Sequence, residues 1–405
     1  MDEQSKADDL PTTLEDALER LRLANKRTDD LRAHLYEERV PSLILLGEGS
    51  FGQIFYVLTQ SVVFKACFTS DDEAATQLKH EFRLCAAMNA AASGHQGGGS
   101  RASSFVVPRP WTLWKPATSE LVDLEWSPPL APPSETRRPP RSSSPGDATP
   151  SVWDSFSTPT FVLDVVPALA LPYADTFLSL FVAPELHSQC GVRLLRLYLG
   201  RDDFPAVTAT LQPGLRSDFP LDIRRYDRFR QAMAPSRLPE AEAIATGMGA
   251  ALLAKMHWCA GINGRDVELV LGGYGVGSVQ CYAFDFNQCQ RWLIPNALGV
   301  LLDDDLDRNI TEGTYFDPDG DLVPGAKRLA MLISGQELYY PRPHQPLYAA
   351  FKTGYLATVA SILEGRGPSQ SWHTRISRAS EAFCAEFERL NAEKQGRRGR
   401  IGRRV

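Results

Sequence analysis

The sequence predicts an α+β chain of two lobes, a smaller one built on an antiparallel sheet with one helix and a larger, mainly helical one. Three observations predict it. From Pro41 to Phe68 short apolar runs are broken by glycines, and from Asp71 to Ala92 the apolar residues Leu78, Phe82, Leu84, Ala87 and Met88 recur at helical spacing. After about residue 238 helical periodicity dominates, interrupted by one hairpin pattern. The 405 residues, 43% of them hydrophobic, suffice for two packed cores with low-complexity insertions between them.

The elements follow in order. Residues 12–38 place Leu14, Ala17, Leu18, Leu21 and Leu31 near helical spacing, with Thr13 and Asp16 as a start signal. This leading amphipathic helix either packs on its own domain or mediates self-association. The small lobe is expected over 41–166, with disordered insertions at 93–104 and 127–160, where Gly, Pro and Ser leave too little to bury. Between them, FVVPRPWTLWK reads as a strand returning to the sheet. FVLDVVPALALPYAD is a buried strand running into a Pro-containing connection that joins the lobes near 164–173, and VRLLRLYLG is a further strand. The large lobe is expected over 167–393. It contains the long helix AEAIATGMGAALLAKMHWCA, a hairpin with VELVL and VQCYAFDF as strands and GGYGVGS as turn, and helices near 326–335, 346–364 and 376–393. Residues 394–405 are expected to be a disordered basic tail, in which Arg397, Arg398, Arg400, Arg403 and Arg404 form an import or anion-binding segment or merely a solvated end.

Composition excludes several classes. A net charge of -6 gives the globule no field that attracts nucleic acid. No apolar run reaches the roughly 18 residues of a membrane span, and MDEQSKADDL lacks the basic-then-apolar pattern of a secretory signal, so a cytoplasmic or nuclear location is expected. The seven cysteines are scattered and lie mostly in apolar stretches, which reads as reduced core thiols. Without a Cys-x-x-Cys pair, and with His257 and Cys259 awkwardly placed on one helix, no zinc is expected. The acidic run Asp303, Asp304, Asp305 and Asp307, with DPDGD at 317–321, lacks a calcium loop's closing glutamate and reads as solvated.

Chemistry concentrates in LGEGSFGQIFYV. Gly47, Gly49 and Gly52 lie between two strand-like segments with Phe51 at the tip, rather than before a helix. Glycines in a hairpin let backbone approach phosphate closely, whereas a dinucleotide site needs them between strand and helix. Lys65 follows on the next strand and Glu81 on the next helix.

This order resembles the small lobe of a protein kinase, and LLAKMHWCAGINGRDVELVLGGYGVGSVQCYAFDFNQ resembles the kinase catalytic region. His257, Gly261 and Ile262 match the lead-in, Arg265 and Asp266 match Arg-Asp, and Asp285 with Phe286 match Asp-Phe. The resemblance implies a two-lobed protein-kinase-like fold, with ATP between the lobes beneath Gly47, Gly49, Phe51 and Gly52. It also implies Lys65 and Glu81 as the phosphate-holding pair, Asp266 as base or orienter, and Asp285 on Mg2+. RDVELVLGG, FDFNQ and YYPRP, together with LDVVP and VRLLRLYLGR, are similar to a fungal domain family of unknown function often labelled zinc-finger protein.

Three departures bear on activity. Gly264 stands where the kinase catalytic histidine would be, Asn287 replaces the glycine after Asp-Phe, and Leu271 occupies the place of a metal-binding asparagine. Glu268, on the same strand face as Asp266, is the candidate substitute metal ligand; its alternative is an ion pair with a basic neighbour such as Arg265. Three function classes follow. One is a nucleotide-binding pseudokinase or interaction module, with a protein partner on the large lobe or the leading helix. Another is an active ATP-dependent phosphotransferase on a protein or small-molecule hydroxyl. The third is a zinc-dependent DNA-binding protein.

Overall fold

The computed structural model describes residues 43–49, 51–57, 61–93, 105–123, 152–189, 191–201, 218–233, 238–274, 277–292, 321–336, 338–366 and 370–401. The leading helix, most of the two insertions, the acidic run and the last four residues lie outside these.

The short, mostly apolar runs Leu43–Glu48 (β1), Gly52–Val57 (β2) and Val62–Cys67 (β3) pair as an antiparallel meander. It continues through Thr160–Asp164 (β7), Pro110–Lys115 (β5) and Glu120–Asp123 (β6) into a six-stranded sheet of order β1-β2-β3-β7-β5-β6. On one face, Cys67 and Phe161 pack with Leu78 and Phe82 of helix α1, Asp72–Ser93, whose first turn is capped by the Asp71 carboxylate accepting from Ala74 N. On the other face Val62, Phe64 and Ala66 are covered by Val152, Trp153 and Phe156.

That cover corrects the expectation of disorder through residue 160. Residues 152–160 form a short 3-10 turn and the start of β7, because two large aromatic side chains, Trp153 and Phe156, find aromatic partners on the sheet. Phe156 stacks on Phe64 at 5.3 Å, Trp153 meets Phe64 edge-on at 5.7 Å, and Trp114 Nε1 donates to the Phe156 carbonyl.

A second, five-stranded sheet has the order β4-β11-β10-β8-β9. Its strands are Phe105–Val106 (β4), Ser278–Phe284 (β11), Glu268–Tyr274 (β10), Leu194–Leu197 (β8) and Asp218–Leu221 (β9). FVVPRPWTLWK is therefore two strands rather than one. Its first residues pair in parallel with β11, and only β5 returns to the first sheet. The turn expected at GGYGVGS also starts later, since β10 runs to Tyr274. Gly273 N donates to Pro167 O at 2.8 Å, and a Cβ there would lie 2.3 Å from Ala168 O, so the connecting segment and the hairpin meet backbone to backbone.

Helices Leu171–Phe181 (α2), Ile223–Ala232 (α3) and Ala241–Gly247 (α4) surround this sheet, α4 continuing in the wider π winding through Met248–Ala254 and Met256–Ala260. Val323–Gln336 (α5), Tyr348–Arg366 (α6) and Gln370–Ile401 (α7) complete the helical layer. The continuation of α7 to Ile401 corrects the expectation that a disordered tail begins at 394. One core cluster runs from Leu84 and Met88 on α1 through Leu269 and Leu271 on β10 to Phe383 on α7. The architecture is α+β with two sheets, compatible with a two-lobed arrangement, and no helix among the described residues is long and apolar enough to cross a membrane.

Candidate functional site

Lys65 is the one position of β3 that is not buried, and strand alternation turns it toward α1 together with Cys67. Its Nζ donates to Glu81 Oε1 at 2.5 Å and to Asp285 Oδ1 at 2.7 Å. Three residues, on β3, on α1 and just after β11, thus meet at one point. Both carboxylates outweigh the burial that opposes the lysine's charge, so its pKa stands above the ordinary value and it stays protonated. Glu81 is 4% exposed, and burial pushes its carboxyl up to about 7, with Lys65 pulling down and Asp285 adding to the rise.

Above the triad, Gly49 N donates to Gly52 O at 2.9 Å and closes the β1–β2 turn, leaving Phe51 exposed at the tip. The three glycines are not equivalent. A Cβ on Gly52 would sit 2.1 Å from Ala66 O, so the β2–β3 pairing itself requires a glycine there. A Cβ on Gly47 meets nothing within 4 Å and one on Gly49 only Gly52 O at 4.0 Å, so packing does not account for those two.

Asp266 and Asp285 both adopt left-handed backbone, with φ of 59° and 62°. Such conformations are uncommon for residues other than glycine and persist only where surroundings impose them. Burial and then the facing Asp285 raise the pKa of Asp266, opposed by Arg265 and Arg196. What imposes the geometry is Asn263, fully buried, whose Oδ1 accepts from Arg265 N and from Gln290 N, both at 3.1 Å. Its own N–H donates to Gln290 O, Trp292 N donates to Gly261 O, and the Cys289 thiol donates to Arg265 O. The Asp266 loop is thereby tied to the segment just after Asp285. Gly264, at φ +67° beside the Leu253 side chain, takes the turn that this requires. Helix α1 joins the same segment through His80 Nε2 and Cys289 O, 3.1 Å apart, where the carbonyl makes that nitrogen the donor. The Lys255 ammonium caps its far end at Ala92 O.

No family model, curated protein or solved structure matches this chain. The site therefore rests on its own geometry.

Glu268 is held in an ion pair by Arg196 Nη1 at 2.7 Å, a cation on β8, which pairs with β10. Leu271 is fully buried. Among the described residues no group of three or more His, Cys, Asp or Glu is arranged to hold a metal, whereas Asp266 and Asp285 lie within electrostatic reach of each other. Two carboxylates suit Mg2+, which commonly takes one or two from protein and the rest from phosphate and water. His257 is a core residue. Tyr355 Oη accepts from Trp258 Nε1 and donates to His257 Nδ1, and burial pushes the imidazole pKa down to about 3. Asn263 and Arg196 were not singled out by the sequence; a buried asparagine two residues before Arg265 carries no local signal, and Arg196 reaches Glu268 only through the β8–β10 pairing.

Proposed function

We propose that this chain is a kinase-like, nucleotide-binding protein that serves as a pseudokinase or interaction module. The observation that carries the reading is the Lys65 ammonium held by Glu81 and Asp285 beneath a glycine hairpin. A fixed cation on the strand that pairs with the β1–β2 hairpin, whose Gly47 and Gly49 are free of packing demands, fits the phosphates of ATP. Lys65 and the backbone of Gly47, Gly49 and Gly52 would hold the phosphates, with Phe51 at the lid's tip. Asp285, with Asp266 beside it, would hold Mg2+, whose chemistry there is neutralisation of phosphate charge.

The engagement of Glu268 by Arg196 favours binding over turnover, because it leaves the second metal position that transfer chemistry uses without a dedicated oxygen donor. A phosphotransferase reading is supported by one feature, the imposed backbone and raised pKa of Asp266, which suit a general base. The zinc reading has no ligand set among the described residues, whose six cysteines are buried free thiols.

Thermal unfolding with Mg-ATP, against ATP with a chelator, tests the reading. A ligand that binds only the folded chain raises its melting temperature. An upward shift that is larger with Mg2+ than with the chelator, and that is reduced in Asp285→Asn, is expected; no shift at millimolar Mg-ATP overturns it.

A further inference from the structure

The Lys65 ammonium lies 2.5 Å from Glu81 Oε1 and 2.7 Å from Asp285 Oδ1, so two of its three N–H donors serve carboxylates. The side chains of Glu81 and Lys65 are 5% and 12% exposed, whereas that of Asp285 is 30% exposed, which makes Asp285 the member of the triad that solvent reaches. Asp285 is also the residue to which the nucleotide reading gives the Mg2+. One of its two carboxylate oxygens is already engaged by a cation. A divalent cation arriving from solvent therefore meets an ammonium that is hydrogen-bonded to the very carboxylate it would bind. The other carboxylate within electrostatic reach, Asp266, lies beside two further cations, Arg265 and Arg196.

We propose that Lys65 guards the metal position: while paired with Asp285 it excludes a free divalent cation, and the site admits the metal only together with nucleotide phosphates. Two physical effects set this. Mg2+ gives up its water reluctantly, and protein sites hold it through one or two carboxylates with phosphate oxygens completing its shell. Without phosphate, the donors at hand are the second Asp285 oxygen and Asp266, with a positive charge bonded beside them, and like charges repel more strongly at a part-buried site than in water. Phosphates reverse both effects. The third N–H of Lys65 donates to a phosphate oxygen without breaking either carboxylate contact, the added negative charge offsets the ammonium, and the remaining phosphate oxygens supply donors to the metal. One charge thus acts with opposite sign on free metal and on metal-bound nucleotide, which a purely structural lysine would not do. The exclusion stands on the triad geometry alone; the admission rests on the nucleotide reading.

The test titrates the full chain, at neutral pH and without nucleotide, with Mn2+, which takes the same oxygen ligands as Mg2+ and whose unbound form is counted by electron paramagnetic resonance. Lys65→Met and Lys65→Gln, the second keeping a donor for Glu81, are each expected to gain a Mn2+ site about tenfold or more tighter than any in the wild type. Adding Asp285→Asn should remove that gain, which separates this position from the acidic run at 303–307. Lys65→Arg, which keeps the charge, should stay closed to Mn2+. Calorimetric titration with Mg-ATP should move the two neutral variants the other way, to weaker binding than the wild type. Wild-type Mn2+ affinity equal to that of the neutral variants, a gain that Lys65→Arg shares, or a gain that survives Asp285→Asn overturns the guard and leaves the nucleotide reading standing. Failure of Mg-ATP to bind the wild type overturns the nucleotide reading and with it the admission step, and the Mn2+ comparison still decides the exclusion.

Discussion

Lys65→Met keeps the length and apolar stem of the side chain and removes only the charge, so its cost is set by what Glu81 does without a cation. In the wild type the Glu81 carboxyl is raised by burial from 4.5 to about 7, while Lys65 remains protonated well beyond that range. Between those two values the folded chain holds a proton that the unfolded chain has lost. Stability from this group therefore falls as pH rises from about 4.5 to about 7 and is level above. In the variant the downward pull of Lys65 is gone, and the upper end of the window moves above 7. Wild type and variant then lose stability in parallel below pH 7 and diverge above it. The variant falls by about 1.4 kcal/mol per further pH unit, or about 2 kcal/mol between pH 7 and 8.5. Urea unfolding at half-unit steps from pH 5.5 to 8.5 measures this, and adding Glu81→Gln should abolish the divergence. A difference between wild type and Lys65→Met that stays constant across that range would refute the coupling of the two groups.

Three further outcomes follow from the same geometry. Gly52→Ala, whose Cβ would press on the Ala66 carbonyl, should cost about 2 kcal/mol or more in urea unfolding, whereas Gly49→Ala should stay within about 0.5 kcal/mol, so that any loss of Mg-ATP affinity in the latter reports on the ligand. Asn263→Ala deprives the Arg265 and Gln290 amides of their shared acceptor and should destabilise by about 2 to 4 kcal/mol, measured in the same way. Glu268→Gln should leave Mg-ATP affinity unchanged, because its carboxylate serves Arg196; loss of nucleotide-dependent Mg2+ binding in a calorimetric titration would instead give Glu268 a metal role.

What could be read from the sequence is what local patterns encode. Glycines between two apolar runs give the β1–β2 turn, and alternation in VVFKAC turns Lys65 away from the face of Phe64 and Ala66. Helical spacing of Leu78, Phe82 and Cys85 turns Glu81 inward beside them. What could not be read depends on which distant segments pair. Phe105 and Val106 lie beside β11 and not with β5, a parallel pairing that no local pattern signals. Trp153 and Phe156 close a Pro- and Ser-rich stretch whose composition points to disorder, and only their aromatic partners on β2, β3 and β5 show why they are ordered. Gly272 and Gly273 look like a turn because the backbone of Pro167 and Ala168, which excludes their side chains, is more than 100 residues away. Asn263 and Arg196 belong to the same class: each acts through a contact that the fold, not the neighbouring sequence, creates.

The central claim is a phosphate site built on Lys65 and Asp285, and calorimetric titration of Mg-ATP into the wild type, Lys65→Met and Asp285→Asn tests it most directly. Each removed charge-assisted contact is worth about 1.5 to 3 kcal/mol, which corresponds to roughly a 10- to 150-fold loss of affinity. Saturable binding to the wild type, weakened to that extent in both variants while ATP without Mg2+ responds only to Lys65→Met, is the expected result. Wild-type binding that both variants retain, or no binding at all, would contradict the claim.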